Sequence, residues 1–117
     1  PIDPGVGRMV LAAEREGCLA EVLVIAAGLT VQDPRERPME RREAADQAHA
    51  QWADPRSDFL ALLNLWNWYH DRLRTLSRSK VRAACKQNMV SYIRMLEWAD
   101  THRQLVRIVT EMGHHPN

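Results

Sequence analysis

FLALLNLWNWYHDRLRTL, residues 59–76, is the stretch that decides the fold. Apolar side chains recur in it at intervals of three and four residues over about five turns, which predicts an amphipathic helix. These positions are Phe59, Leu62, Leu63, Trp66, Tyr69, Leu73 and Leu76. The apolar face is widened by Leu60, Leu65 and Trp68, so we expect a core helix that packs on two sides.

The same periodicity predicts helices on both sides of this stretch. They cover about residues 4–16, 19–29, 39–53, 79–87 and 90–112. No segment alternates apolar and polar residues as a half-buried strand does. The sequence therefore predicts an all-α fold, a single bundle-like domain of six or seven helices with one long C-terminal helix. We expect this domain to occupy residues 1–113 and a flexible tail to occupy residues 114–117.

Residues that favour helix ends support these boundaries. Asp3 and Ser57 are good N-caps, and Gly17 and Gly113 are suited to closing helices at their C-terminal ends. The second helix is apolar nearly all round, which predicts a central position in the fold. In the last helix the apolar positions are Ile93, Leu96, Leu105, Ile108, Val109 and Met112.

Between the second and third helices lies the connection VQDPRERP, residues 31–38. Pro34 and Pro38 each fix a backbone φ angle in this connection, and three charged residues lie between them. A stiff, charged segment of this kind is longer than a helix end requires. The connection is therefore a candidate docking element, and its composition does not indicate a particular partner.

Composition argues against several classes of protein. The chain has 117 residues, which suits one domain, and no apolar run reaches the ~18 residues that a membrane span needs. Cys18 and Cys85 show no metal-like or redox-like spacing, which favours buried roles for both and a reduced, cytoplasmic setting. Because the chain begins at Pro1 rather than Met, we expect it to be part of a longer protein.

The charge is unevenly distributed, although its net value is only +1. Residues 1–70 hold 7 Arg and no Lys against 11 acidic residues, whereas residues 71–117 hold 9 basic residues against 4 acidic ones. A basic surplus can face the phosphates of a nucleic acid, or it can be a solvated helix face. Trp66, Trp68 and Tyr69 could likewise stack on bases, but their helical spacing favours core packing, most clearly for Trp66.

The sequence contains no motif typical of an enzyme. It lacks a phosphate-binding loop, a Gly-x-Ser-x-Gly nucleophile elbow and a His-Glu-x-x-His zinc pattern. His49 and His70 lie in helical contexts that favour structural roles, and His102 does not share a helix face with Asp100. We therefore predict no catalytic residue, no metal site and no cofactor in this chain, which favours a binding or structural module.

Several short motifs occur in order along almost the whole chain. They are IDP at 2–4, GRM at 7–9, GC at 17–18, EVLVIA at 21–26, VQDPRERP at 31–38, AD at 45–46, SDFL at 57–60, LNLW at 63–66, EW at 97–98 and QL at 104–105. In this order and spacing they resemble the helicase-associated (HA2, ratchet-like) domain of DEAH-box ATP-dependent RNA helicases, and most closely its bacterial HrpA type.

The resemblance implies a parent protein in which two RecA-like domains bind ATP and Mg²⁺ and hydrolyse ATP. A winged-helix domain, this helical domain and an OB-fold would follow them. It also implies that the helical domain is non-catalytic, helps to form the channel for single-stranded RNA and couples the motion of the RecA-like domains to the RNA.

On this interpretation, residues of two kinds are candidates for function. The candidate contacts with the RNA backbone are Lys80, Arg82, Lys86, Arg94, Arg103 and Arg107. The connection would dock against a neighbouring domain of the same parent chain through Asp33, Pro34, Arg35, Glu36, Arg37 and Pro38. The alternative is a helical protein–protein interaction domain with no nucleic-acid role. A small independent enzyme is a third possibility, but the sequence offers no convergent polar site for catalysis.

Overall fold

The computed structural model describes residues 4–116, apart from the side chain of Val6, and every regular element in that range is helical. The six α-helices are α1 (Pro4–Glu16), α2 (Leu19–Thr30), α3 (Arg42–His49), α4 (Asp58–Thr75), α5 (Arg78–Gln87) and α6 (Tyr92–Glu111). A short 3₁₀ helix, Met39–Arg41, precedes α3. The all-α prediction is confirmed, and the C-terminal helix α6 is the longest of the six, with 20 residues.

Serine hydroxyl groups define the starts of the three helices in the second half of the chain. Ser57 accepts a hydrogen bond from the backbone N–H of Phe59, as predicted, and Ser77 and Ser91 cap α5 and α6 in the same way. Because Ser91 is the cap, α6 begins at Tyr92, two residues later than the expected start. The predicted cap at Asp3 lies outside the described residues.

Glycines follow the C-terminal ends of α1 and α6, as the sequence predicts. Gly17 and Gly113 have backbone φ angles of 74° and 92°, in the left-handed region where a side chain is unfavourable. The division between a domain and a tail at residue 113 stays a prediction. In the structure, Nδ1 of His114 lies 2.8 Å from a carboxylate oxygen of Glu14.

Helix α2 lies at the centre of the fold, as its apolar composition predicts, and packs against α1, α4 and α6. Its contact with α6 is fixed by a hydrogen bond of 2.9 Å, which the indole Nε1 of Trp98 donates to the carbonyl oxygen of Val24. The main core cluster also includes Leu65, Trp66 and Tyr69 from α4. Core packing of Trp66 is therefore confirmed.

The buried faces of α4 and α6 differ from those that the spacing of apolar residues suggested. In α4, Phe59 and Leu73 are 52% and 42% exposed, whereas Leu65 is fully buried. Of the six apolar positions expected in the last helix, four are between 37% and 58% exposed: Ile93, Leu96, Ile108 and, just after the end of α6, Met112. The buried positions of α6 are Tyr92, Met95, Trp98 and Val109. Both helices have apolar residues on more than one side, and the side with the larger aromatic surface packs against the core.

Helix α3 is shorter than expected. It ends at His49 rather than near Ala53, and its first turn is replaced by the 3₁₀ helix. The residues between α3 and α4 form turns, with Trp52 buried in the main core. None of the helices in the described residues combines the length and the apolar character needed to cross a membrane.

Candidate nucleic-acid interface

The connection of residues 31–38 is tied to the junction between α5 and α6. The backbone N–H of Glu36 donates to the carbonyl oxygen of Met89 at 2.8 Å, and the N–H of Ser91 donates to that of Pro34 at 2.8 Å. These two bonds flank an isolated antiparallel bridge between Arg35 and Val90. The connection therefore has a fixed position relative to α5 and α6, which the sequence did not indicate.

Arg35 joins the connection to the start of α4. Its guanidinium donates to Asp33 at 2.8 and 3.0 Å and to both carboxylate oxygens of Asp58 at 2.9 and 3.1 Å. The hydrogen bonds to Asp58 and Asp33 raise the pKa of Arg35 above its ordinary value, and the bond from Arg35 lowers the pKa of Asp58. Arg35 is thus a permanently charged centre held by two carboxylates.

Arg37 and Pro34 complete the attachment of the connection. Nε of Arg37 donates to a carboxylate oxygen of Asp46 in α3 at 2.8 Å, and this bond lowers the pKa of Asp46. Pro34 is among the most deeply buried residues of the fold. Both arginines of the connection therefore contact carboxylates of this same chain. Docking of Asp33, Pro34, Arg35, Glu36, Arg37 and Pro38 against a neighbouring domain stays a prediction.

A groove opens between the connection, the 3₁₀ helix and the junction of α5 with α6. It has a volume of about 510 Å³ and is lined by Arg35, Glu36, Arg37, Pro38, Arg41, Lys86, Met89 and Arg94. We call this feature the basic groove. It brings together two distant parts of the sequence, residues 35–41 and 86–94, because the connection bonds to the junction of α5 and α6. Five of its lining residues are cationic and one is acidic, so its electrostatic potential favours an anion.

Three cations of the basic groove are available to a ligand. Among residues 4–116, no carboxylate lies within ion-pair distance of Arg41, Lys86 or Arg94. Arg94 is oriented by one hydrogen bond of 3.1 Å from its guanidinium to the backbone carbonyl oxygen of Asp33. Arg41 was not among the candidate residues from the sequence, which predicted one regular helix over about residues 39–53. The 3₁₀ turn instead exposes it beside the connection.

The six candidate RNA contacts do not form one site. Lys86 and Arg94 line the basic groove, whereas Arg82 and Arg103 line a second pocket together with Arg78. Lys80 and Arg107 are exposed on α5 and α6 and line neither of these cavities. The structure thus divides the basic surplus of the second half into separate surfaces.

The histidines have structural contacts, as their helical positions suggested. Nε2 of His49 lies 3.0 Å from the carbonyl oxygen of Met89, and Nδ1 of His70 lies 2.9 Å from that of Trp66. The ring of His102 packs edge-on against Trp66 with centroids 4.8 Å apart. Within the described part of the chain, no cluster of three or more His, Cys, Asp or Glu side chains is arranged to hold a metal ion.

The family model and the relatives that this chain matches all belong to one family of proteins. Residues 3–62 match the family model described as "Helicase associated domain (HA2), ratchet-like". The chain is 42% identical over 113 residues to the ATP-dependent RNA helicase HrpA of Escherichia coli, a match that covers 97% of this chain and 9% of that protein. It is 40% identical to the HrpA homologue of Haemophilus influenzae, with the same coverage of both chains.

A more distant relative is the DExH-box ATP-dependent RNA helicase DExH1 of Arabidopsis thaliana. It is 32% identical over 114 residues, which cover 97% of this chain and 11% of that protein. The chain thus spans about a tenth of the length of the relatives that it matches.

Proposed function

The chain belongs to the family of helicase-associated (HA2), ratchet-like domains of DEAH-box RNA helicases, and on this premise we propose that its basic groove binds the backbone of single-stranded RNA. In this role the domain is non-catalytic. It forms part of the channel that holds the RNA within a longer, ATP-dependent helicase. ATP and Mg²⁺ act in the RecA-like domains of that longer protein, and the winged-helix and OB-fold domains are further partners in the same chain.

The observation that carries this proposal is the convergence of Arg41, Lys86 and Arg94 on one open groove. When cations without carboxylate partners bind phosphates, they displace the counterions that surround the nucleic acid. Release of these counterions supplies most of the affinity for a nucleic-acid backbone. No aromatic side chain is among the described residues that line the groove, so it offers no stacking platform for bases. Contacts of this kind position a strand without reading its sequence.

The attachment of the connection supports a role in coupling. Residues 31–38 bond to the junction of α5 and α6, to Asp58 in α4 and to Asp46 in α3. Because the same residues form one wall of the basic groove, a neighbouring domain that pushes on the connection moves the groove with it. This arrangement would transmit motion of the RecA-like domains to bound RNA.

The proposal is tested by titrating the 117-residue chain with a fluorescently labelled single-stranded RNA at low salt. We expect Lys86→Glu to weaken binding by about tenfold, the usual effect of replacing an attractive phosphate contact by repulsion. Lys80→Glu is the matched control on the same helix, and it should change the affinity by less than about twofold because Lys80 lies outside the groove. Equal effects of the two variants would contradict the proposal.

The alternative function is a helical protein–protein interaction domain with no nucleic-acid role. It predicts that the unmodified chain does not bind RNA at low salt, or binds it with an affinity that Lys86→Glu leaves unchanged. The exposed apolar side chains of α4 and α6 are the observation that favours a protein partner, and they lie away from the basic groove.

A further inference from the structure

We propose that a second pocket, formed by α4, α5 and α6, is a docking site for an acidic segment of a partner protein that carries one bulky aliphatic side chain. This pocket has a volume of about 420 Å³ and is lined by Tyr69, His70, Leu73, Arg78, Arg82, Tyr92, Leu96, Ala99 and Arg103. We call it the arginine-rimmed pocket. It shares no lining residue with the basic groove, so it is a separate surface.

The floor of the arginine-rimmed pocket is apolar and partly open to solvent. Leu73 of α4 and Leu96 of α6 both line it, and each is 42% exposed. Ala99, about one turn after Leu96 in α6, adds a small apolar side chain to the lining. An aliphatic side chain that covers these exposed leucines stabilises the complex by about 25 cal/mol for each Å² of apolar surface removed from water.

The rim of the pocket is cationic. Arg78 and Arg82 lie one helical turn apart on α5, and neither has a carboxylate within ion-pair distance among residues 4–116. Arg103 has only an exposed pair with Asp100 at 3.3 Å, which a ligand can replace. No Asp or Glu is among the described residues that line the pocket. A ligand with carboxylates on both sides of an apolar anchor therefore complements it in charge.

A peptide fits this pocket better than RNA does. The guanidinium of Arg82 lies over the ring of Tyr92, 5.1 Å from its centroid, and Tyr69 is only 1% exposed. The two tyrosine rings therefore have no free face on which a base could stack. The ring of His70 packs against that of Trp66, with centroids 4.2 Å apart. The rest of the floor is aliphatic, where a phosphodiester would lose its hydration without gaining a hydrogen bond. An aliphatic side chain has no such cost, and its neighbouring carboxylates can form paired hydrogen bonds with the arginines.

The inference is tested by fluorescence anisotropy with the 117-residue chain and a labelled synthetic peptide that has one leucine between glutamates. A control peptide has serine in place of the leucine. We expect the leucine peptide to bind about tenfold more tightly, because an apolar anchor in a pocket dominates such interfaces. Its binding should also weaken as salt is raised.

Variants of the chain locate the binding site. Arg78→Glu and Leu96→Glu each alter an exposed position, and each should weaken binding of the leucine peptide by about tenfold. Lys80→Glu on α5 and Arg107→Glu on α6 are matched controls on the same two helices, and they should leave its affinity within about twofold. Far-ultraviolet circular dichroism confirms that each variant keeps its helical content.

Three results would overturn the inference: no binding of the leucine peptide, equal binding of the serine peptide, or insensitivity to Arg78→Glu. A fourth concerns RNA. If single-stranded RNA displaces the peptide and Arg78→Glu weakens RNA binding as strongly as Lys86→Glu does, the pocket belongs to the RNA site. In that case the docking inference fails while the proposed RNA-binding function stands. If instead the basic groove does not bind RNA, the RNA-binding proposal fails, and binding of the leucine peptide to the arginine-rimmed pocket is still expected.

Discussion

Arg35 donates hydrogen bonds of 2.9 and 3.1 Å to the two carboxylate oxygens of Asp58, across 23 positions of the sequence. The paired geometry fixes the connection of residues 31–38 against the first turn of α4. Because the connection also forms one wall of the basic groove, this contact positions the groove as well as stabilising the fold.

Replacement of Arg35 by Ala should lower the free energy of unfolding by about 1–2 kcal/mol, because it removes hydrogen bonds between charged groups that are only partly screened by solvent. Arg35→Lys should restore little of this loss, since an ammonium group cannot bridge Asp33 and Asp58 with a planar fork. Urea denaturation followed by circular dichroism measures both effects. Arg56→Ala is the control, because Arg56 pairs with Asp54 only locally and is 77% exposed. If Arg56→Ala shifted the urea midpoint as much as Arg35→Ala does, a special stabilising role of Arg35 would be contradicted.

Gly28→Ala should destabilise the fold by about 1–3 kcal/mol, because it overpacks a filled core. A Cβ atom at Gly28 would lie 2.9 Å from two ring carbons of Trp98, and that indole cannot retreat because it is fully buried and bonded to Val24. Gly7→Ala is the matched control in another helix, where no described atom beyond the adjacent residues and the backbone of that helix lies within 4 Å of the added carbon. There the better helix propensity of Ala should leave stability unchanged or raise it by up to about 1 kcal/mol. Thermal unfolding distinguishes the two variants, and an equal response would show that Trp98 does not restrict Gly28.

His102 should make stability depend on pH in the weakly acidic range. Burial lowers the pKa of His102, and the nearby charges of His70 and Arg103 lower it further. The unfolded chain therefore takes up a proton first, as pH falls below about 6.5, and the free energy of unfolding decreases until the folded pKa is reached. His102→Gln should flatten this part of the profile, whereas His115→Gln, at an exposed position, should retain it. Urea midpoints measured between about pH 7 and pH 5 test this, and identical slopes in all three chains would exclude His102 as the cause.

Features of the fold that depend on neighbours in sequence could be predicted. The cap at Ser57, the closing glycine at Gly17 and the break at residues 31–38 are all determined by local backbone chemistry. Family membership was also accessible, since it rests on short motifs in order. The central position of α2 followed from its composition alone.

Features that depend on distant contacts could not be predicted. Helix α6 has apolar residues on two sides, and the packing of Trp98 against Gly28 and Val24 in α2 decides which side is buried. The partners of Arg35 and Arg37 are carboxylates in α4 and α3, and nothing in the connection itself indicates them. Arg41 joins the basic groove only because the 3₁₀ turn and the bridge from Arg35 to Val90 bring it beside Lys86.

Binding of RNA by the basic groove is tested most directly by the salt dependence of the affinity. With contacts from Arg41, Lys86 and Arg94, the logarithm of the association constant should fall against the logarithm of the salt concentration with a slope of about −2. In the double variant Arg41→Gln and Lys86→Gln, the slope should become shallower by about 1.4. The double variant Lys80→Gln and Arg107→Gln removes the same charge outside the groove and should keep the original slope. An unchanged slope in the groove variant, or an equal change in the control, would contradict RNA binding at this site.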